Sequence, residues 1–315
     1  MRSGTSRTKV TLLAGGVGAA RLLCGLVDVV DPIDLTVIVN TGDDEEFYGL
    51  HVSPDLDTIV YTLAGMAPEG RGWGIRGDSF NALGALAGLY GDAWFQLGDR
   101  DLATNLFRTD GLRRGWSLSR CTREIARALG VHVKVLPATD DRVRTRVHTR
   151  DGVLAFQEYL VRRRARPRVE RIRYEGAARA RPAPGVLSAI RRADVVLLAP
   201  SNPFVSIGPI LAVRGVREAL RDVAPRVVAV SPLIRGRAVK GPLASMLRTL
   251  GYRVGSDALL ELYRGLIGTL IVAPGDAPGR PARSMPRIVE HDILITRRAA
   301  ARRLARFALG HARAA

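Results

Sequence analysis

Apolar positions along this chain follow two periodicities. Short unbroken runs rich in β-branched residues, Val10 to Ala14, Leu35 to Val39, Val195 to Ala199 and Val227 to Val230, read as strands buried on both faces. Between the first two, Ala19 to Val27 carries helical spacing, so the chain opens as a βαβ unit and predicts a parallel sheet. Asp57 to Ala64, after the turn-forming Ser53-Pro54, and Leu118 to Leu129, ending at Gly130, predict further helices, and Thr296 to Leu309 reads as a basic amphipathic one. From Val131 to Tyr159 the pattern changes to short alternating runs, Val131 to Leu136, Val143 to Thr149 and Val153 to Phe156, with Asp151-Gly152 as a hairpin turn. The expected architecture is α/β: a Rossmann-like parallel sheet flanked by helices, with a smaller β-rich lobe near residues 131–180. Residues 1–8 are small and polar and are expected to be disordered, leaving 9–315 as a single domain.

Composition narrows the class. The 315 residues are enough for a large core, and 47% hydrophobic with 25% charged residues argues against extended disorder. No apolar run approaches the roughly 18 to 20 residues of a membrane span. The start does not resemble a signal peptide, so no membrane partner and a cytoplasmic location are expected. Cys24 and Cys121 lie far apart and suggest buried thiols rather than a disulfide framework. The formal net charge of +18 raises a nucleic-acid hypothesis. Its distribution weakens that idea: arginines are scattered, Lys9, Lys134 and Lys240 are the only lysines, and no aromatic residues interleave as stacking platforms. No nucleic acid is expected as a partner, whereas an anionic small substrate is compatible with the charge.

Against this background one window stands out. Between Arg21 and Arg71 there is no lysine or arginine, yet ten of the 30 acidic residues fall there, among them Asp43, Asp44, Asp55 and Asp57. Carboxylates without internal counter-charge call for water, a helix N-terminus or a cation. N-capping by Asp43 and Asp55 accounts for one or two of them, and a divalent metal or ligand is the favoured reading for the rest. Upstream, Gly15, Gly16 and Gly18 sit between a strand and a helix, where backbone amides can meet an anion. Purely steric use of glycine is an equal alternative, and neither the Gly-Lys-Ser phosphate loop nor the full dinucleotide fingerprint is present. Gly98-Asp99-Arg100-Asp101 is either a turn with an internal ion pair or a preoriented fork for a polar ligand. Five histidines without metal-ligand spacing, and no Gly-x-Ser-x-Gly elbow, make histidine-based acyl transfer a poor fit.

Taken together, LAGGVGAARLL from Leu13, VIVNTGDD from Val37, SPDLDT from Ser53, RGWGIRGD from Arg71, WFQLGDRDLAT from Trp94, LPATDDR from Leu136, FQEYLVR from Phe156, APSNPFVSIGPILAV from Ala199 and VSPLIRGRAVKGP from Val230 resemble the CofD family. These are the 2-phospho-L-lactate transferases of coenzyme F420 biosynthesis, and the closest likeness is to the bacterial FbiA type. The resemblance implies a nucleotide-binding transferase. It would move a phospholactyl or phosphoenolpyruvyl group from a GDP-linked donor to the ribityl hydroxyl of 7,8-didemethyl-8-hydroxy-5-deazariboflavin, called Fo, release GMP and use Mg²⁺. Val17, where other family members carry threonine, leans the implied donor towards enolpyruvate. Carried over by position, Asp57 and Arg100 are the expected Fo-binding pair, and Gly15, Gly16 and Gly18 the holders of the donor phosphates. Ser201, Asn202 and Pro203 are expected on the guanosine side, Asp43 and Asp57 around the metal, and Asp57 or Asp44 as acceptor of the hydroxyl proton. A homodimer is common among such folds. The principal rival is a non-catalytic regulator of the same fold group that binds a nucleotide-sugar.

Overall fold

A computed structural model describes residues 7–68, 72–278 and 286–312. The expected disorder of residues 1–8 falls mostly outside this range; Arg7 and Thr8 are exposed and irregular. Among the described residues the centre is a seven-stranded sheet. Its strands in chain order are β1 (Val10–Ala14), β2 (Leu35–Val39), β3 (Lys134–Pro137), β4 (Val195–Leu198), β5 (Val227–Val230), β6 (Thr269–Val272) and β7 (Arg287–Glu290). They lie side by side in the order 3-2-1-4-5-6-7, every pair parallel.

Every residue of β1, β4, β5 and β6 is buried, which is why β1, β4 and β5 read as short runs rich in apolar residues; β6 adds a strand that the pattern did not predict. Neighbouring residues serve opposite cores. Leu12 faces helices Gly16–Leu26, Pro54–Leu63, Leu118–Ala128 and Arg298–Leu309, while Leu13 faces helices Val186–Arg192, Val216–Asp222 and Ser256–Leu262. The order reverses at β1: the chain builds outward through β2 and β3, then crosses back to β4. Beyond the carboxyl ends of strands at such a reversal the loops diverge and leave a crevice.

The smaller lobe is a three-stranded antiparallel sheet of Gly152–Ala155, Arg144–Thr149 and Val169–Glu175. The run from Val131, grouped with that lobe by its pattern, instead supplies β3 at the edge of the main sheet. Two helices begin earlier than the apolar spacing indicates, at Gly16 and Pro54, because the glycines and the proline of their first turns bury no side chain that periodicity would register. Helix Asp99–Arg113 escaped the pattern for a different reason. Its inward positions are polar: Asp101, Asn105, Arg108 and Thr109 are buried at helical spacing.

Close approach of backbone explains one glycine outright. A Cβ on Gly18 would lie 2.1 Å from the Pro200 carbonyl oxygen, so the first helix seats directly against the loop after β4. Gly18→Ala is expected to destabilise the fold by about 2–4 kcal/mol in denaturant unfolding. Gly88→Ala, where a Cβ meets nothing within 4 Å in helix Asn81–Tyr90, should instead stabilise by about 0.5–1 kcal/mol.

Candidate active site

The crevice opens between the turn after β1 and the loop after β4. Gly15 is extended and Gly16 adopts a left-handed φ of +70°, which turns the chain into helix Gly16–Leu26. Ser201 Oγ donates to the Gly15 carbonyl at 2.7 Å and ties the two loops together. The first free amide of the helix does not stand open: Gly16 N–H donates to Asp55 Oδ1 at 2.7 Å. Asp55 therefore caps a helix, but the one from Gly16 rather than its own.

Asp55 shares a buried amide with Asp43. Asn40 Nδ2 donates to Asp43 Oδ1 at 2.7 Å and to Asp55 Oδ2 at 2.9 Å, while its Oδ1 accepts from Gly42 N–H at 2.7 Å. Gln157 Nε2, from the segment after the lobe strand Gly152–Ala155, donates to Asp43 Oδ2 at 3.0 Å. Burial, with the charges of Asp55 and Asp44, pushes the Asp43 carboxyl well above the ordinary carboxylate range. Asp55 is pushed up to about 6, chiefly by burial and against the pull of Asn40 and the Gly16 amide.

Other acids of the cation-free window find counter-charge from distant parts of the chain. Arg108 Nη1 and Nη2 both bond the Asp57 carboxylate, one of them at 3.1 Å, in a fully buried fork. Glu45 pairs with Arg146 at 3.0 Å and lies 3.7 Å from Arg144; Asp28 pairs with Arg298 at 2.6 Å. Asp44 Oδ2 accepts from Ser53 Oγ at 2.8 Å and lies 3.2 Å from His51 Nε2, and its buried Oδ1 has no hydrogen-bond partner among the described residues. Asp43 and Asp55 are left as a buried pair held by amides alone. Among the described residues no cationic side chain pairs with Asp43 or Asp55, whereas Asp57, named with Asp43 in the cation-binding expectation, carries its own counter-charge in Arg108.

The Gly-Asp-Arg-Asp stretch divides its labour. Asp99 caps helix Asn81–Tyr90, accepting from Ala82 N–H at 2.9 Å and Asn81 N–H at 3.1 Å. Asp78 caps the next helix through the Arg100 and Asp101 amides. The Arg100 side chain is exposed and lines no part of the crevice. Asp101 points inward instead, accepting from Tyr61 Oη at 2.8 Å. Its carboxyl is pushed up to about 7 by burial and by the Asp57 charge.

These groups line one cleft of 740 Å³. Its lining includes Gly15, Gly16 and Gly18, the carboxylates Asp43, Asp55, Asp57 and Asp101, and Ser201 with Asn202. Asn202 Oδ1 accepts from Phe204 N–H at 2.9 Å, and Pro203 begins that turn without reaching the cleft. Asp44 also stays behind the wall. Trp73, Trp94, Phe95 and Phe156 line the same cleft, and Phe47 stacks on Phe95 at 3.8 Å between ring centroids. Asn40, Tyr61, Arg108 and Gln157 escaped the sequence reading, being single polar residues inside helices and runs whose neighbours are apolar or charged.

The strand order defines a Rossmann-like α/β protein, with its cleft at the sheet's carboxyl edge where the order reverses. A family model described as 2-phospho-L-lactate transferase CofD matches residues 10–305. The phosphoenolpyruvate transferase of Streptomyces coelicolor is 44% identical over 275 residues, covering 85% of this chain and 86% of that protein. The 2-phospho-L-lactate transferase of Methanopyrus kandleri is 44% identical over 257 residues, covering 81% and 82% respectively. Among solved structures, a UPF0052-family protein of Bacillus halodurans shares the fold with a TM-score of 0.56 at 20% identity, over 92% of this chain and 89% of that one. The chain belongs to the CofD family.

Two outcomes follow from the buried charges. Arg108→Met leaves Asp57 buried without its partner and should cost about 3–5 kcal/mol in denaturant unfolding. Asp101 keeps its proton in the folded chain up to about pH 7 but releases it near pH 4 when unfolded, so stability is lost as pH rises through that window. Asp101→Asn preserves the acceptor for Tyr61 and removes that cost. The variant should be more stable than wild type by on the order of 2 kcal/mol at pH 8, with the difference vanishing at pH 4.

Proposed function

We propose that this chain transfers a phospholactyl or phosphoenolpyruvyl group from a GDP-linked donor to the terminal ribityl hydroxyl of Fo, with release of GMP. The observation that carries the reading is one cleft whose lining holds both a buried carboxylate pair held by amides and four aromatic side chains. The aromatic side chains suit a flat deazaflavin ring, since ring faces stack with offset and exclude water. The carboxylate pair suits a cation carried in with phosphate. Mg²⁺ takes one or two carboxylates and fills its shell with water and phosphate oxygens, a number that Asp43 and Asp55 match.

Asp43 and Asp55 are the residues that would hold Mg²⁺, in place of the Asp43 and Asp57 read from the motif. When bound, the ion neutralises charge on the phosphate oxygens. Asn40 fixes the separation of the two carboxylates, and Gln157 fixes the rotation of Asp43. The remaining work is orientation, because a phosphoanhydride is already an activated donor. The Fo hydroxyl oxygen forms the new bond to the phosphorus that bears the acid, the bond from that phosphorus to the oxygen bridging it to the second phosphate breaks, and the bridging oxygen leaves with GMP. Asp57 receives the hydroxyl proton. Arg108 holds its carboxylate in one orientation, and each oxygen retains a lone pair beyond the guanidinium bond. Burial raises the Asp57 pKa, against the pull of Arg108, which suits a proton acceptor. Asp44 orients Ser53 and His51 from behind the wall, a supporting role instead of the catalytic one expected from the motif. Asp57 and Asp101 are the polar contacts assigned to Fo in place of Asp57 with Arg100.

Incubating the purified chain with Fo, Mg²⁺ and each GDP-linked donor, and weighing the product by mass spectrometry, tests the proposal and identifies the acid. Asp55→Asn is expected to lower kcat by at least about 100-fold through loss of charge stabilisation. A wild-type chain that forms no Fo adduct with either donor would overturn the reading.

A further inference from the structure

The cleft also carries positive charge that the transfer described above does not use. Arg21 lies on helix Gly16–Leu26, five residues after Gly16 and so roughly 7.5 Å further along its axis. One turn before it, Val17 packs towards Gly72 on the opposite lip, and both Val17 and Arg21 line the cleft on the same helix face. Lys240, in the Gly-Arg-Ala-Val-Lys-Gly-Pro stretch, also lines the cleft, with Gly241 in a left-handed conformation and Pro242 beside it. Arg164 completes the set from the lobe.

Three features set these cations apart from the rest of an arginine-rich surface. Desolvation and the charge of Arg21 together lower the proton affinity of Lys240, so the two cations share one partly enclosed space instead of avoiding each other. Arg164 and its neighbour Ala165 both hold left-handed φ of +52°, a conformation disfavoured for residues with a Cβ, which fixes the chain at the cleft lip. Lysine itself is scarce: with Lys9, Lys134 and Lys240 as the only three among 48 cationic residues, 45 are arginine. A compact ammonium, unlike a planar fork, tolerates approach from any direction.

We propose that Arg21 and Lys240, assisted by Arg164, form an oxyanion subsite that binds a negatively charged end of the donor. The inference rests on the donor proposed above and adds what recognises its anionic groups. The charge pattern supports it, since the same cleft is lined by Asp43, Asp55, Asp57 and Asp101 and by Arg21, Arg164 and Lys240. A ligand carrying phosphate and carboxylate oxygens together with a cation satisfies both sets. Two oxyanions of such a donor fit the chemistry, its diphosphate and the carboxylate of its acid.

The test measures binding of GDP and of phosphoenolpyruvate, each with Mg²⁺ at fixed ionic strength, by titration calorimetry. The proteins are wild type, Arg21→Met, Lys240→Met and, as a control for the loss of one positive charge, Lys134→Met on an exposed strand position outside the cleft. Arg21 is half-buried and Lys240 exposed, so melting temperatures close to wild type are expected for all variants. Weakening of GDP by about tenfold or more in both cleft variants, with the control within about twofold of wild type, assigns the subsite to the diphosphate. Unchanged GDP with a similar loss for phosphoenolpyruvate assigns it to the acid-bearing end of the donor. Cleft variants that bind both ligands as the control does would overturn the subsite while leaving the donor reading intact. A wild-type chain that binds neither ligand would overturn both.

Discussion

Everything in the cleft is arranged around two carboxylates that share one amide. Asp43 and Asp55 are buried side by side, joined through Asn40 and unaccompanied by a cationic side chain. Bringing two like charges out of water is unfavourable, and each is driven towards its protonated form. The fold sustains this arrangement because its elements converge on it. Asn40 and Asp43 follow β2, Asp55 opens helix Pro54–Leu63, and Gln157 arrives from the smaller lobe. The Gly16 amide, at the head of the first helix, adds the favourable end of a helix dipole.

The glycine turn takes on a different meaning in this setting. In many nucleotide-binding folds the first helix presents open amides to phosphate. Here the Gly16 amide is engaged by Asp55, and Gly18 is required by the Pro200 carbonyl. The steric reading of these glycines is what Gly18 shows, while the Gly16 amide meets a carboxylate of the chain itself, one that lines the cleft.

Much of the fold was legible because the central strands are buried on both faces, so Val10–Ala14, Leu35–Val39 and Val227–Val230 appear as unbroken apolar runs with matching limits. The site was legible only in part. The acid-rich window announced unpaired charge, but local sequence could not say which acids stay unpaired, since Arg108, Arg146 and Arg298 reach Asp57, Glu45 and Asp28 across 51, 101 and 270 residues. Helix Asp99–Arg113 buries polar groups, an inversion that hydrophobic periodicity does not register, and with it went Asp101 and Arg108. In the same stretch Arg100 drew attention by its charge, whereas its position on the helix turns it to solvent.

The account stands most directly on where a divalent cation sits. Crystals grown with GDP and Mn²⁺ in place of Mg²⁺, measured for anomalous scattering, locate the ion without reference to activity. A single strong peak within ligating distance of both Asp43 and Asp55, and bridging to phosphate oxygen, is the predicted result. A peak on Asp57 in place of Arg108, or an ion held away from the Asn40 amide, would contradict it.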